Sequence, residues 1–208
     1  MQPENTLIIK ATSQEQRLGS KGEAMRKLSA GLFITVDGVV EQPGHWQETF
    51  DEDMGAAMGS MMADIDTILL GRVTYQYWEP YWSNFDTSSP DGEYANFINN
   101  TPKYVVSKTL DSVKWGKFNN ATLVKNLVED ISKLKSQPGK TIGVQGSPTL
   151  VDSLLQHDLL DELSLVIHNV AAYNGARLFK DGGTLKRLDL VDVKPTRSGV
   201  IIATYKPR

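Results

Sequence analysis

Three short stretches of this chain combine small residues, hydroxyls and cations in a pattern that suits phosphate. They are Leu70-Gly71-Arg72-Val73-Thr74, Val105-Val106-Ser107-Lys108-Thr109 and Val144-Gln145-Gly146-Ser147-Pro148. Each follows an apolar run that reads as a strand and precedes a polar or helical start, so each is a strand-to-helix turn. A helix N-terminus exposes unpaired backbone N–H groups and a partial positive charge, and both attract an anion. In open α/β sheets ligands bind beyond the carboxyl ends of the strands, so three such turns on one rim describe a dinucleotide site. The amides of Gly146 and Ser147 serve one phosphate, Gly71, Arg72 and Thr74 another, and Ser107 and Lys108 a third. A third phosphate implies NADPH rather than NADH. Ser147 reads as a cap for the last helix and Pro148 as its first residue, where a missing N–H costs nothing.

The elements that must position these turns alternate. Strands are expected at Leu28–Val36, Thr67–Leu70, Lys103–Ser107, Thr122–Val124, Gly143–Gln145 and Glu162–Ile167. Helices are expected at Asp51–Ala63, Arg72–Trp78 (stopping before Pro80), Pro148–Gln156 and after the cap Asn126, with a helical turn at Tyr94–Asn100 and a loop over Tyr81–Glu93. Lys186–Val193 and Gly199–Tyr205 read as a terminal hairpin. Strands alternating with helices, then closing strands, predict a mostly parallel sheet covered on both faces with antiparallel C-terminal edge strands. Met54, Met58 and Met61 share a helix face that reads as core. The polar stretch 1–24 reads as an N-terminal extension, in the manner of a tag or an upstream start, or as an added edge strand. The domain occupies 25–208.

Composition narrows the function. The 208 residues are 40% hydrophobic and 23% charged with net charge −3, which favours neither nucleic acid nor an anionic membrane as partner. No cysteine is present, so disulfides, thiol nucleophiles and thiolate metal sites are excluded, which fits a reducing cytoplasm. His45, His157 and His168 lack metal-ligand spacing, and neither a Ser-His-Asp arrangement nor a P-loop occurs. No run approaches a membrane span and the first residues lack a signal-peptide pattern.

The block from Gly146 through Asp158-Leu159-Leu160-Asp161-Glu162-Leu163 to Gly175-Ala176-Arg177-Leu178-Phe179 makes the pattern specific. With Gly71-Arg72-Val73-Thr74-Tyr75, Lys103-Tyr104-Val105-Val106-Ser107-Lys108-Thr109-Leu110 and Thr35-Val36-Asp37-Gly38, it resembles the dihydrofolate-reductase-like family, in the subgroup of the RibD C-terminal domain. The resemblance runs from about Lys27 to Tyr205 and implies a three-layer α/β/α fold, a homodimer and a stand-alone NADPH-dependent reductase. It departs at His168–Gly175, where the family has a proline and a leucine-glycine pair, and it lacks the deaminase half.

The resemblance implies Asp37 as a catalytic carboxylate near nicotinamide and substrate, where the bare sequence offers a plain Asp-Gly turn. Trp46, in the loop after the first strand, either stacks on a flat heterocycle or plugs the core edge. Asp51, Glu52 and Asp53 favour a helix start electrostatically. Dihydrofolate reductases carry a pterin-binding acid on the corresponding helix, so the resemblance also offers one of them, or Asp64, as a substrate contact. Asp161 and Glu162 read as a solvated turn or strand start. The implied reaction is hydride transfer to a small heterocyclic or sugar-linked carbonyl or imine, closest to the ribosylamino-pyrimidine of riboflavin synthesis. The alternatives are a general reductase of a folate-like or xenobiotic compound and a nucleotide-binding module without turnover.

Overall fold

A computed structural model describes residues 25–89 and 92–208, so the expectations for 1–24 lie outside the described residues. The described residues form eight strands: β1 Leu28–Thr35, β2 Ile65–Gly71, β3 Lys103–Val106, β4 Ala121–Val124, β5 Thr141–Gln145, β6 Glu162–His168, β7 Leu188–Pro195 and β8 Ile201–Pro207. Five α-helices lie among the described residues: α1 Glu52–Met62, α2 Arg72–Trp82, α3 Gly92–Asn100, α4 Leu127–Lys135 and α5 Pro148–Gln156. The strand order is β4-β3-β2-β5-β1-β6-β8-β7. Strands β1 to β6 pair in parallel, and β8 and β7 close the sheet antiparallel. This is the α/β architecture expected from the alternation.

Period-two patterning decides the layers. On β1, Leu28, Ala30, Leu32 and Ile34 face a core completed by Ile131 and Leu134 of α4 and by Val151 and Leu154 of α5. The opposite face of the sheet carries two separate clusters. Ile68, Leu70 and Val105 pack under Tyr75 of α2, Ile98 of α3 and the fully buried Trp115. Val166 and Ile202 pack under Met54 of α1. Between those clusters, over β1 and β5, the second face is left open as a cleft.

Several local expectations shift. Helix α2 runs through Pro80 to Trp82 instead of stopping short. The proline sits in the last turn, and Trp78 and Trp82 extend the helix to meet Tyr94 edge-on, at 6.4 and 5.1 Å between ring centroids. That aromatic packing outweighs the one helical hydrogen bond proline removes. The segment expected to be a helical turn is accordingly a nine-residue helix, α3. Of the three methionines on this face, Met54 is buried in the core, whereas Met58 and Met61 line the cleft, with Met61 also packing against the Met54 cluster. Asp161 is no solvated turn. It accepts from the Leu28 amide at 2.8 Å and from the nearly buried Lys135 ammonium at 2.5 Å, tying α4 to the start of β1.

Caps separate the helices into two kinds. Asp51 accepts from the Met54 amide at 2.8 Å and starts α1, and Asn126 accepts from the Glu129 amide at 3.3 Å and starts α4. Helices α2 and α5 begin with no side-chain cap, at Gly71 and Ser147. Amides of the first turn of α2 are left for another partner. In α5, Pro148 has no N–H and the Leu150 amide already donates to the Ser147 carbonyl at 2.9 Å, which leaves the amides of Ser147 and Thr149.

Candidate active site

The strand order explains where those uncapped helices meet. From β2 the chain turns outward to β3 through α2 and α3, on the second face of the sheet. From β5, the adjacent strand, it crosses in the opposite direction to β6 through α5, on the first face. The carboxyl ends of β2 and β5 are therefore a topological switch point, where a crevice opens between diverging helices. Gly71 and Ser147 touch there. A Cβ on Gly71 would collide with Ser147 Oγ and come within 2.6 Å of its Cβ. Gly146 and Ser147 are both left-handed, at φ 65° and 63°, which lifts the turn over Thr74. Glycine takes that conformation freely, whereas for Ser147 it costs about 1–2 kcal/mol. It also carries the Ser147 side chain away from the capping position expected of it.

The cleft that opens at this point has a volume of 1640 Å³. Gly71, Arg72, Thr74, Lys108, Gly146 and Ser147 line it, so six of the seven expected cofactor residues come together. Arg72 is exposed and braced by Gln76, at 2.8 Å. Ser107 is the seventh and is not in the lining. Its buried hydroxyl accepts from the amides of Thr109 and Leu110 at 3.2 and 3.1 Å, closing its own turn. Lys125, in the turn after β4, lines the cleft as well, and its ammonium donates to the Leu110 carbonyl. Its signal was available: Val124-Lys125-Asn126 repeats the apolar-then-cation turn seen after β3.

The walls of the cleft are apolar. Met58 and Met61 stand on the α1 side, Tyr77 and Trp78 on the α2 side. Arg177 and Lys180 reach it from the loop after β6. Two carboxylates line the cleft among the described residues, and both are engaged: Glu41 accepts from the Ala176 amide at 2.9 Å, and Glu162 pairs with Lys27.

The structure does not bring Asp37 or Trp46 into the lining. Asp37 instead holds the loop in which this chain departs from the pattern it resembles. Its carboxylate accepts from Thr35 Oγ1 at 2.5 Å and from the amides of Ala172 and Tyr173 at 3.0 and 2.9 Å. Those bonds, led by the Thr35 hydroxyl, hold its pKa down to about 2. Its carbonyl takes Arg177 Nε at 2.9 Å, so Asp37 reaches the cleft through Arg177. Trp46 is nearly buried, donates from Nε1 to the Glu41 carbonyl at 2.9 Å, and packs edge-on against His168 at 5.3 Å. Of the two roles left open for it, this geometry is the packing one. His168 completes that box. It is buried against Phe33 and Trp46, with Nε2 unpartnered among the described residues, and burial pushes its pKa down.

One consequence concerns pH. Asp37 has a folded pKa below its ordinary 3.8, so its tie is fully made above that value and is lost as pH falls toward about 2. Asp37→Asn should release it at neutral pH. The Ala172 and Tyr173 amides will then exchange faster with deuterium, while amides of β5 keep their wild-type rate. Unchanged protection at 172 and 173 would sink this account of the loop.

Comparison with known proteins adds the relationship. The sequence model for the RibD C-terminal domain matches residues 26–202. The Bacillus subtilis (strain 168) protein YyaP is 30% identical over 183 residues, covering 86% of this chain and 94% of its own. A pyrimidine reductase-like protein from Corynebacterium diphtheriae superposes with a TM-score of 0.61 at 17% identity, covering 88% of this chain and 92% of that one. Dihydrofolate reductase from Enterococcus faecalis, complexed with NADP(H), superposes with a TM-score of 0.53 at 16% identity, covering 88% and 96%. At those identities the solved structures establish a shared fold. Among the described residues no helix is long and apolar enough to cross a membrane.

Proposed function

The chain belongs to the RibD C-terminal domain family, within the dihydrofolate-reductase-like fold, and from that premise we propose that it is an NADPH-dependent reductase. The observation that carries the reading is the switch point, where two uncapped helix N-termini face one crevice beside Arg72. The residues fit the cofactor. The amides after Gly71 and Gly146 would take its pyrophosphate, with Arg72 and Thr74 alongside. Lys108 and Lys125 would take the ribose phosphate. When bound, NADPH supplies the hydride. The chain supplies what surrounds it: rim cations that orient anionic groups, and Met58, Met61, Tyr77 and Trp78, which exclude water from the cleft. Asp37 serves as a positioning residue for Arg177 and the 168–175 loop.

The substrate of this reading is a small heterocyclic or sugar-linked carbonyl or imine, with the ribosylamino-pyrimidine of riboflavin synthesis as the family's example. A second reading, a general reductase of a folate-like or xenobiotic compound, draws support from the soft methionine and aromatic walls, which adapt to many apolar shapes. Rescue of a riboflavin-requiring strain separates the two. Stoichiometric NADPH binding without turnover across a substrate panel would instead favour a binding module. We place the chain in the reducing cytoplasm as a homodimer, with the bulged edge strand β7, whose Leu190, Val191 and Val193 are exposed, as the surface that offers pairing.

The direct test is titration with NADPH, followed by fluorescence or calorimetry. No response at about 1 mM, a concentration that still detects interactions near −4 kcal/mol, would reject the proposal. Arg72→Ala should weaken binding about tenfold to a hundredfold, the value of one charge-assisted hydrogen bond to phosphate. The deficit should shrink as salt rises, because Arg72 is exposed and its field is screened. A deficit independent of salt would assign Arg72 a packing role instead.

A further inference from the structure

The floor of the cleft carries a polar row that neither the rim nor the walls account for. Gly31 of β1 is paired with Gln145 of β5 on one side and with Ser164 of β6 on the other. All three lie on the open face of the sheet and line the cleft. Gly31 has no side chain, and the one atom within 4 Å of a Cβ built there is Met61 Sδ at 3.9 Å, so only a flexible methionine side chain lies over the β1 backbone at this point. With that unbranched side chain swung aside, a flat ring can rest on the strip. The Ser164 hydroxyl is shared with Thr204 Oγ1 at 3.0 Å. The Gln145 carboxamide makes no side-chain hydrogen bond to any described residue and faces the same strip. The row below closes the space, because a Cβ on Gly143 would collide with Ile65.

We propose that Gln145, assisted by Ser164, determines substrate choice by reading the edge of a planar ring laid on Gly31. The inference rests on the reductase reading and adds to it the substrate end of the same cleft. A carboxamide offers an acceptor beside two donors, which matches an N–H next to a C=O on the partner. It carries no charge, and the flanking Met61 and Trp78 offer none. A charged edge at this depth would lose water with nothing to replace it. The favoured ligand is therefore a neutral planar heterocycle with an N–H beside a carbonyl. Anionic groups, where present, belong at the rim, with Arg72, Lys108, Arg177 and Lys180.

The experiment needs no knowledge of the natural substrate. Full-length protein saturated with NADPH is titrated by calorimetry with lumazine and with 1,3-dimethyllumazine, which keeps the ring and carbonyls but has lost the N–H groups. Wild type should bind lumazine about tenfold more tightly or better, the worth of a satisfied hydrogen bond against an unpaired one. Gln145→Leu should bring the two within about twofold, and Ser164→Ala should narrow the gap partway, both with NADPH affinity unchanged as the check on folding. An undiminished preference in Gln145→Leu overturns the inference, as does failure of both rings to bind the NADPH-loaded protein. In either case the reductase reading stands. If NADPH itself does not bind, that reading falls and takes this one with it.

Discussion

Replacing Gly71 by alanine will raise the dissociation constant for NADPH by about a hundredfold or more, the largest effect expected of any single methyl group in this protein. The new Cβ would strike Ser147 Oγ and lie 2.6 Å from its Cβ, so the first turn of α2 or of α5 must move. Both turns present the amides that would hold the pyrophosphate. Losing alignment at two charge-assisted hydrogen bonds, each worth about 1.5–3 kcal/mol, accounts for the hundredfold. The fold should survive, since overpacking of this kind costs about 1–3 kcal/mol against a typical stability of about 5–15 kcal/mol. The second substitution that tests the cause is Ser147→Gly. It removes both offending atoms and the strain of a serine held at φ 63°, so alone it should stabilise slightly. Combined with Gly71→Ala it should recover most of the lost affinity. NADPH titration and urea unfolding of the two single variants and the double variant decide the matter. A double variant that binds no better than Gly71→Ala would show that the contact with Ser147 is not the cause.

That contact marks how far the sequence could be read. Every strand had been anticipated to within a few residues, because β2, β5 and β6 are apolar runs punctuated by Gly71, Gly146 and Asp158–Asp161. Helix starts with a polar cap, at Asp51 and Asn126, were equally plain. Pairing of β2 with β5 was not visible, since it joins residues more than 70 positions apart and leaves no local trace. Without strand order there is no switch point, so three phosphate-compatible turns could be named but not ranked. With it, the turns after β2 and β5 form the centre and the turns after β3 and β4 form a flank.

Side-chain roles were harder to foresee than backbone ones. Ser147 has the right residue type for a cap, but the left-handed backbone at Gly146 and Ser147 turns its hydroxyl toward Gly71. Ser107 has the right type for a phosphate, but two amides of its own turn are nearer. Asp37 is drawn off in the same way by Ala172 and Tyr173. In the last two cases a short polar side chain satisfies unpaired backbone amides close to it, a competition that composition cannot reveal. The substrate floor was hidden for the opposite reason. Gly31 matters through what it lacks, and Gln145 only through lying beside it on the neighbouring strand.

Lys103→Met will remove most of the pH dependence of unfolding between about pH 7 and pH 10.5. Lys103 is fully buried at the start of β3, with no carboxylate partner among the described residues. Its Nζ donates to the Asn99 carbonyl at 2.7 Å and to Asn120 Oδ1 at 3.2 Å, and lies 4.5 Å from the centre of the Trp115 ring. These contacts offset only part of the cost of a buried charge, and burial pushes the pKa down from 10.5 to about 7. The unfolded chain therefore binds the proton more tightly than the folded one. Stability rises with pH through that window, by an amount on the order of a few kcal/mol, and the penalty is fully present below about pH 7. Methionine keeps the unbranched stem over Trp115 and has no charge to bury. The Asn99 carbonyl still has the Asn120 side-chain amide as donor at 2.9 Å, so the substitution leaves it partnered. Urea unfolding of the variant should give a nearly flat profile, at least as stable as wild type at pH 6 and close to it at pH 10. Equal destabilisation at both values would show that the ammonium's contacts outweigh its burial. A lysine opening a strand ordinarily extends into water, and nothing in Pro102-Lys103-Tyr104 says otherwise. Asn99 and Asn120 close over it here, bringing α3 and the loop before β4 together around a charge that the protein holds most easily when it is lost.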